Sequence, residues 1–93
     1  MRKIERTTRF KRDFKNVSKQ SYFDKELFEE IVLQLAQDIP LDEKYRDHGL
    51  SGDYAGAREC HIKPDWLLIY LIEDDILTLT LTSTGTHADL FDM

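Results

Sequence analysis

Residues 66–83 read WLLIYLIEDDILTLTLTS, and this stretch restricts the fold more than any other. Seven apolar residues in a row, 66–72, fit a central strand covered on both faces. The acidic EDD at 73–75 turns the chain. Strict alternation follows: Leu77, Leu79 and Leu81 point one way, and Thr78, Thr80 and Thr82 point the other. Such a hairpin needs a layer packed on its leucine face.

The N-terminal third supplies that layer. KIERT reads as a short first strand, and Thr7 or Thr8 can cap a helix after it. Phe10, Phe14 and Val17 then share one helical face. In SYFDKELFEEIVLQLAQ, Asp24 is a good N-cap, with Leu27, Phe28, Ile31, Val32, Leu35 and Ala36 as the apolar stripe. Short connections make the two helices an antiparallel pair, and Pro40 stops the second. Residues 41–58 form a polar loop punctuated by Gly49, Gly52 and Gly56. A further strand lies near 57–63, with Glu59, His61 and Lys63 on one side and Cys60 and Ile62 on the other. The expectation is one α+β domain over 1–93, ordered β-α-α-β-β-β. Its antiparallel sheet carries both N-terminal helices on the leucine face and leaves the threonine face open.

Charge is unevenly spread. Residues 1–20 hold eight Lys/Arg against two Asp/Glu, a net +6, so with a whole-chain charge of −5 the other 73 residues carry −11. A basic stripe of this kind can dock on phosphate or simply be a solvated helix face. The one cysteine, Cys60, permits no intrachain disulfide. With an opening MRKIERTTRF that lacks an apolar core, this predicts a cytoplasmic protein with no membrane association.

His48, His61 and His87 all fall at a loop or a strand end. Histidine suits proton transfer near neutral pH, and Asp65 adds a carboxylate. Cys60 and its neighbour His61 point to opposite faces, and the histidine spacings match no compact zinc pattern, so no metal or other cofactor is expected. GLSGDYAG lacks the Lys-Ser/Thr of a phosphate loop. Trp66 and Tyr70 read mainly as core. Phe91, near the chain end, is harder to explain by packing and could stack on a nucleobase. Pro64 breaks the strand register before Asp65 and Trp66 and can aim both toward His87.

YRDHGLSG (45–52), RECHIKPDWLLIY (58–70) and TGTHADLF (84–91) together resemble the YafQ-like branch of the RelE superfamily, toxins of bacterial type II toxin–antitoxin systems. The resemblance runs from the basic N-terminal helix to Phe91. It implies a metal-independent endoribonuclease that cuts mRNA on the 70S ribosome. It also implies neutralisation by a cognate antitoxin, and operator DNA binding by the complex through that antitoxin. The family's active-site positions fall here on His48, His61, Asp65, Trp66, His87 and Phe91. Ser83 departs from the pattern, because members commonly carry an arginine four residues before the last histidine. Arg46 and Arg58 are the candidate replacements for its charge.

The expected chemistry is attack of a ribose 2′-OH on its own 3′-phosphate. His87 would be the general acid and His48 the base, with Asp65 as rival base or as orienter of a histidine. His61 would hold the phosphate, Trp66 support the site and Phe91 contact a base. The competing reading is a noncatalytic binding module that keeps antitoxin affinity. The antitoxin is expected on the open sheet face or the basic helix.

Overall fold

The computed structural model describes residues 1–91. Five strands form one sheet: β1 (Lys3–Arg6), β2 (His48–Gly49), β3 (Arg58–Lys63), β4 (Trp66–Glu73) and β5 (Thr78–Gly85), in spatial order β1-β5-β4-β3-β2. Helices α1 (Thr8–Val17) and α2 (Lys25–Ala36) separate β1 from the rest, and α3 (His87–Phe91) follows β5. The β3-β4-β5 pairings are antiparallel, as expected, and β2 also joins β3 antiparallel. β1 joins the outer edge of β5 in parallel, making the sheet mixed. The two-residue β2 and the short α3 were not read from the sequence.

Both expected caps form. The Thr7 hydroxyl accepts the Phe10 N–H at 2.9 Å, and the Asp24 carboxylate accepts the Leu27 N–H at 3.1 Å. The second helix ends before Pro40: Asp38 takes a left-handed φ of 58° and pairs with Arg2 at 3.0 Å. Arg2 also reaches Asp74 and the Glu73 carbonyl, so one buried guanidinium joins the end of α2 to the β4–β5 turn.

The main core lies between α1, α2 and one sheet face. Phe10, Phe28, Ile31 and Leu35 meet Cys60, Ile62, Trp66, Leu68, Tyr70, Leu79 and Leu81 there. Trp66 is fully buried against Phe28, Tyr22 and Phe23. A second cluster covers the opposite face of β4, where Leu67 and Ile69 meet Leu90 of α3. β4 is therefore covered on both sides, as its unbroken apolar run requires.

Two departures from strict alternation shape β5. Leu77 lies in the turn with φ 48° and is largely exposed, so the leucine face begins at Leu79. A bulge then sets Leu81 opposite Tyr70 but Ser83 opposite Ile69, which leaves Thr82 as the extra residue. An extra residue reverses the facing of all that follow it. Thr84 turns to the helix side, where its hydroxyl accepts the Trp66 Nε1–H at 2.9 Å and donates to the Leu67 carbonyl at 2.6 Å. Ser83 turns to the face that carries α3. The threonine face is thus not fully open: Thr78 is buried, and Thr80 and Thr82 are half-buried.

Candidate active site

The site lies on the sheet face away from α1 and α2. Cross-strand pairing puts His48 beside Glu59, and His61 beside Leu67, on that face. His87 starts α3 just beyond the end of β5. The three rings form a row: His48 to His61 is 6.3 Å between centroids, and His61 to His87 is 5.6 Å.

Each ring is held by a different device. His48 Nδ1 lies 2.5 Å from the Arg46 carbonyl. A carbonyl only accepts, so Nδ1 carries the proton and the neutral ring keeps its lone pair on Nε2. Arg46 makes this contact from a left-handed backbone, φ 50°. Asp47, next along, accepts the Tyr70 hydroxyl from the core and pairs with Arg58 Nε at 3.4 Å, which fixes the turn leading into β2. Burial, then the hydrogen bond to Asp47, pushes the Tyr70 hydroxyl well above its usual range.

His61 is mostly buried, with Nδ1 3.3 Å from the Pro64 carbonyl. Its Nε2 is 3.3 Å from Glu59 Oε1, and the same oxygen is 3.6 Å from His48 Nε2. Glu59, 5% exposed, is thus a carboxylate set between two histidines. A buried carboxylate is costly unless paired, which makes Glu59 a candidate functional residue that sequence reasoning missed. Its signal was present: Glu59 shares its strand side with His61.

His87 is held by Asp65, whose Oδ1 accepts the main-chain N–H at 2.9 Å and the ring Nδ1–H at 2.5 Å. These bonds, the backbone one first, hold the Asp65 carboxyl below its ordinary range. Thr86 and Asp89 bond reciprocally, each side chain accepting the other's N–H at 3.0–3.1 Å. That T-x-x-D capping box, legible in TGTHAD, marks the start of α3. Gly85 precedes it with φ 152°, and a Cβ there would lie 2.9 Å from Asp89.

The register shift falls between His61 and Lys63 rather than at Pro64, and Pro64 and Asp65 form the β3–β4 turn; from it Asp65 reaches His87, but Trp66 points the other way into the helix-side core. Arg58 also faces the helix side, paired with Asp47 near Tyr70, and so does not reach the histidine row. Phe91 is half-buried on the site's face and meets Tyr54 edge-on, with centroids 5.5 Å apart. Cys60 is buried on the helix side, and desolvation pushes its thiol far above the usual range, so it is inert. Among the described residues, no group of three or more His, Cys, Asp or Glu side chains is arranged to hold a metal ion. No helix among them is long and apolar enough to cross a membrane.

Similarity to known proteins agrees with this geometry. The family model described as "Bacterial toxin of type II toxin-antitoxin system, YafQ" matches residues 2–92. The mRNA interferase toxin YafQ of Escherichia coli K12 is 37% identical over 90 residues, 97% of this chain and 96% of that protein. The crystal structure of the E. coli DinJ-YafQ complex superposes with a TM-score of 0.85 at 36% identity, covering 98% of this chain and 99% of the other. The structure of a metal-bound toxin from Helicobacter pylori gives a TM-score of 0.90 at 43% identity, covering 98% and 100%. A family match over nearly the whole chain, with relatives of the same length and fold, shows that this chain belongs to the YafQ family of bacterial type II toxin–antitoxin toxins.

Proposed function

We propose that this protein is an mRNA interferase that cleaves RNA on the ribosome by internal attack of a 2′-OH. The observation that carries the reading is the row of three histidines with a carboxylate behind each end. His48 Nε2 holds the lone pair, so it takes the 2′-OH proton. Glu59 then faces the imidazolium that results. The 2′-oxygen bonds to phosphorus and the 5′-oxygen leaves, taking a proton from Nε2 of His87. Asp65, bound to Nδ1 of that ring, stabilises its charged form. Asp65 is thereby the orienter of the acid rather than the base. The products are a 2′,3′-cyclic phosphate and a 5′-OH, and this route requires no metal.

His61 lies between acid and base, where it faces the phosphate. Phe91, with Tyr54, offers an aromatic edge to a base. Trp66 supports the site from beneath through Thr84. A cognate antitoxin partner is supported by the DinJ-YafQ complex of the E. coli relative. In the living cell the complex would bind operator DNA through that antitoxin, and the protein would act in the cytoplasm.

The experiment is cleavage of a 5′-labelled mRNA on programmed 70S ribosomes by wild type, His87→Ala and Ser83→Arg. Rapid wild-type cleavage that His87→Ala abolishes is the expected result. A silent wild type with an active Ser83→Arg would mean that the family's charge stabiliser has been lost. Silence of both, with ribosome binding confirmed, would replace the enzyme by a noncatalytic binding module.

A further inference from the structure

A groove of about 710 Å³ opens at the edge of β3 past the end of β2, between Leu27 of α2 and residues 44–46, and reaches the histidine row at His61. Ile62 and Pro64 give it an apolar floor. Lys44, Arg46 and Lys63 supply three cations, and Tyr45 adds an aromatic ring. Among the described residues no carboxylate lines it, on a chain whose net charge is −5.

Two features make this more than a dent in the surface. His61 belongs both to the groove and to the histidine row, so the two adjoin at that residue. Arg46 joins them a second time: it lines the groove, and its carbonyl takes the His48 ring. Arg46 takes a left-handed backbone, sparsely populated for a non-glycine residue, at the end of the turn 43–45. The Lys63 ammonium is held in place by the Tyr22 carbonyl at 2.7 Å.

We infer that this groove is a nucleotide subsite of the ribonuclease. It takes a nucleotide flanking the cleaved bond in single-stranded RNA, with the phosphate among Lys44, Arg46 and Lys63 and the base against Tyr45. An apolar and aromatic floor ringed by cations is what single-stranded nucleic acid requires. The inference rests on the RNA-cleaving reading above.

The test is an NMR titration of the full ¹⁵N-labelled chain with adenosine 3′,5′-bisphosphate. The expected result is saturable shifts at the amides of residues 44–46 and 62–63. Lys44→Gln combined with Arg46→Asn, the latter chosen because asparagine tolerates the left-handed backbone, weakens binding about tenfold. It also makes log K less dependent on salt, because fewer charge contacts to phosphate remain to be screened. Lys25→Gln, an exposed charge on α2, leaves both unchanged.

Absence of shifts at residues 44–46, or shifts around His61 and His87 that the double variant does not alter, overturns the subsite. A glutamate-rich peptide that shifts these amides where the bisphosphate does not overturns it in favour of a protein interface. The programmed-ribosome assay reports on the parent reading separately. A chain that cuts RNA but shows no groove shifts loses only the subsite, and one that never cuts loses the ribonuclease reading.

Discussion

One oxygen of Asp65 holds both the backbone and the ring of His87: Oδ1 is 2.9 Å from the main-chain nitrogen and 2.5 Å from Nδ1. The same contact fixes where α3 starts and which nitrogen of the ring faces outward. His87→Ala should therefore lower cleavage on programmed ribosomes by about 10²–10⁴-fold, the usual worth of a general acid. Asp65→Asn retains an acceptor and should lose less than Asp65→Ala. Equal losses in the two variants would deny Asp65 its orienting role.

The Asp65 carboxyl is held below its ordinary value of 3.8, first by the His87 N–H and then by the ring. A depressed carboxyl contributes stability above its unfolded value and loses it as pH falls through its folded one. The acid side of the melting curve should thus become shallower in Asp65→Asn. A ¹³C titration of the wild-type carboxyl should give a midpoint below 3.8. A midpoint at or above that value would contradict the geometry.

Tyr70→Phe removes the hydroxyl that donates to Asp47 and should cost about 1 kcal/mol by chemical denaturation. Because the turn before His48 loses its core anchor, cleavage per folded molecule should drop several-fold. The Tyr70 hydroxyl is raised in the fold, so its stability is present below its ordinary value of 10.0 and is lost as pH rises through the raised one. The variant should flatten the alkaline limb of stability. Full retention of activity would remove the Tyr70–Asp47 contact from the mechanism.

Glu59→Gln preserves shape but removes the charge facing His48 and His61. The expected outcome is a fall in kcat of about tenfold or more with KM largely kept, because the charge is needed only once the base is protonated. Steady-state kinetics on programmed ribosomes would read it. A change confined to KM would reassign Glu59 to substrate binding.

Trp66→Phe should destabilise the fold by about 1–2 kcal/mol through loss of the Thr84 bond and of packing volume. Activity per folded molecule should stay near wild type. A selective loss of activity without loss of stability would place the indole in contact with substrate after all.

Much of this molecule was legible from residue pattern. Thr7 and Asp24 cap their helices because each precedes an apolar stripe and can accept an N–H three residues on. The run 66–72 demanded cover on both sides and has it. The three histidines stand out by their places at a loop or strand end, Asp65 as the carboxylate that accompanies them, and Phe91 as an aromatic near the chain end that packing explains less easily; all five lie on one sheet face. α3 was missed although its capping box stands in TGTHAD, because five residues leave no periodicity to see.

What the chain determined by itself was local: period, caps, turns, and which residue types could carry proton transfer. Tertiary structure decided the rest, because facing depends on pairing. The bulge at Thr82 reversed Ser83 and Thr84. The parallel docking of β1 made the sheet mixed. Trp66 and Arg58 fell on the helix side, while Glu59, read only as a strand neighbour, became the buried charge between two histidines. A one-residue shift in register moves a side chain to the other face of a sheet, and no local pattern records where that shift occurs.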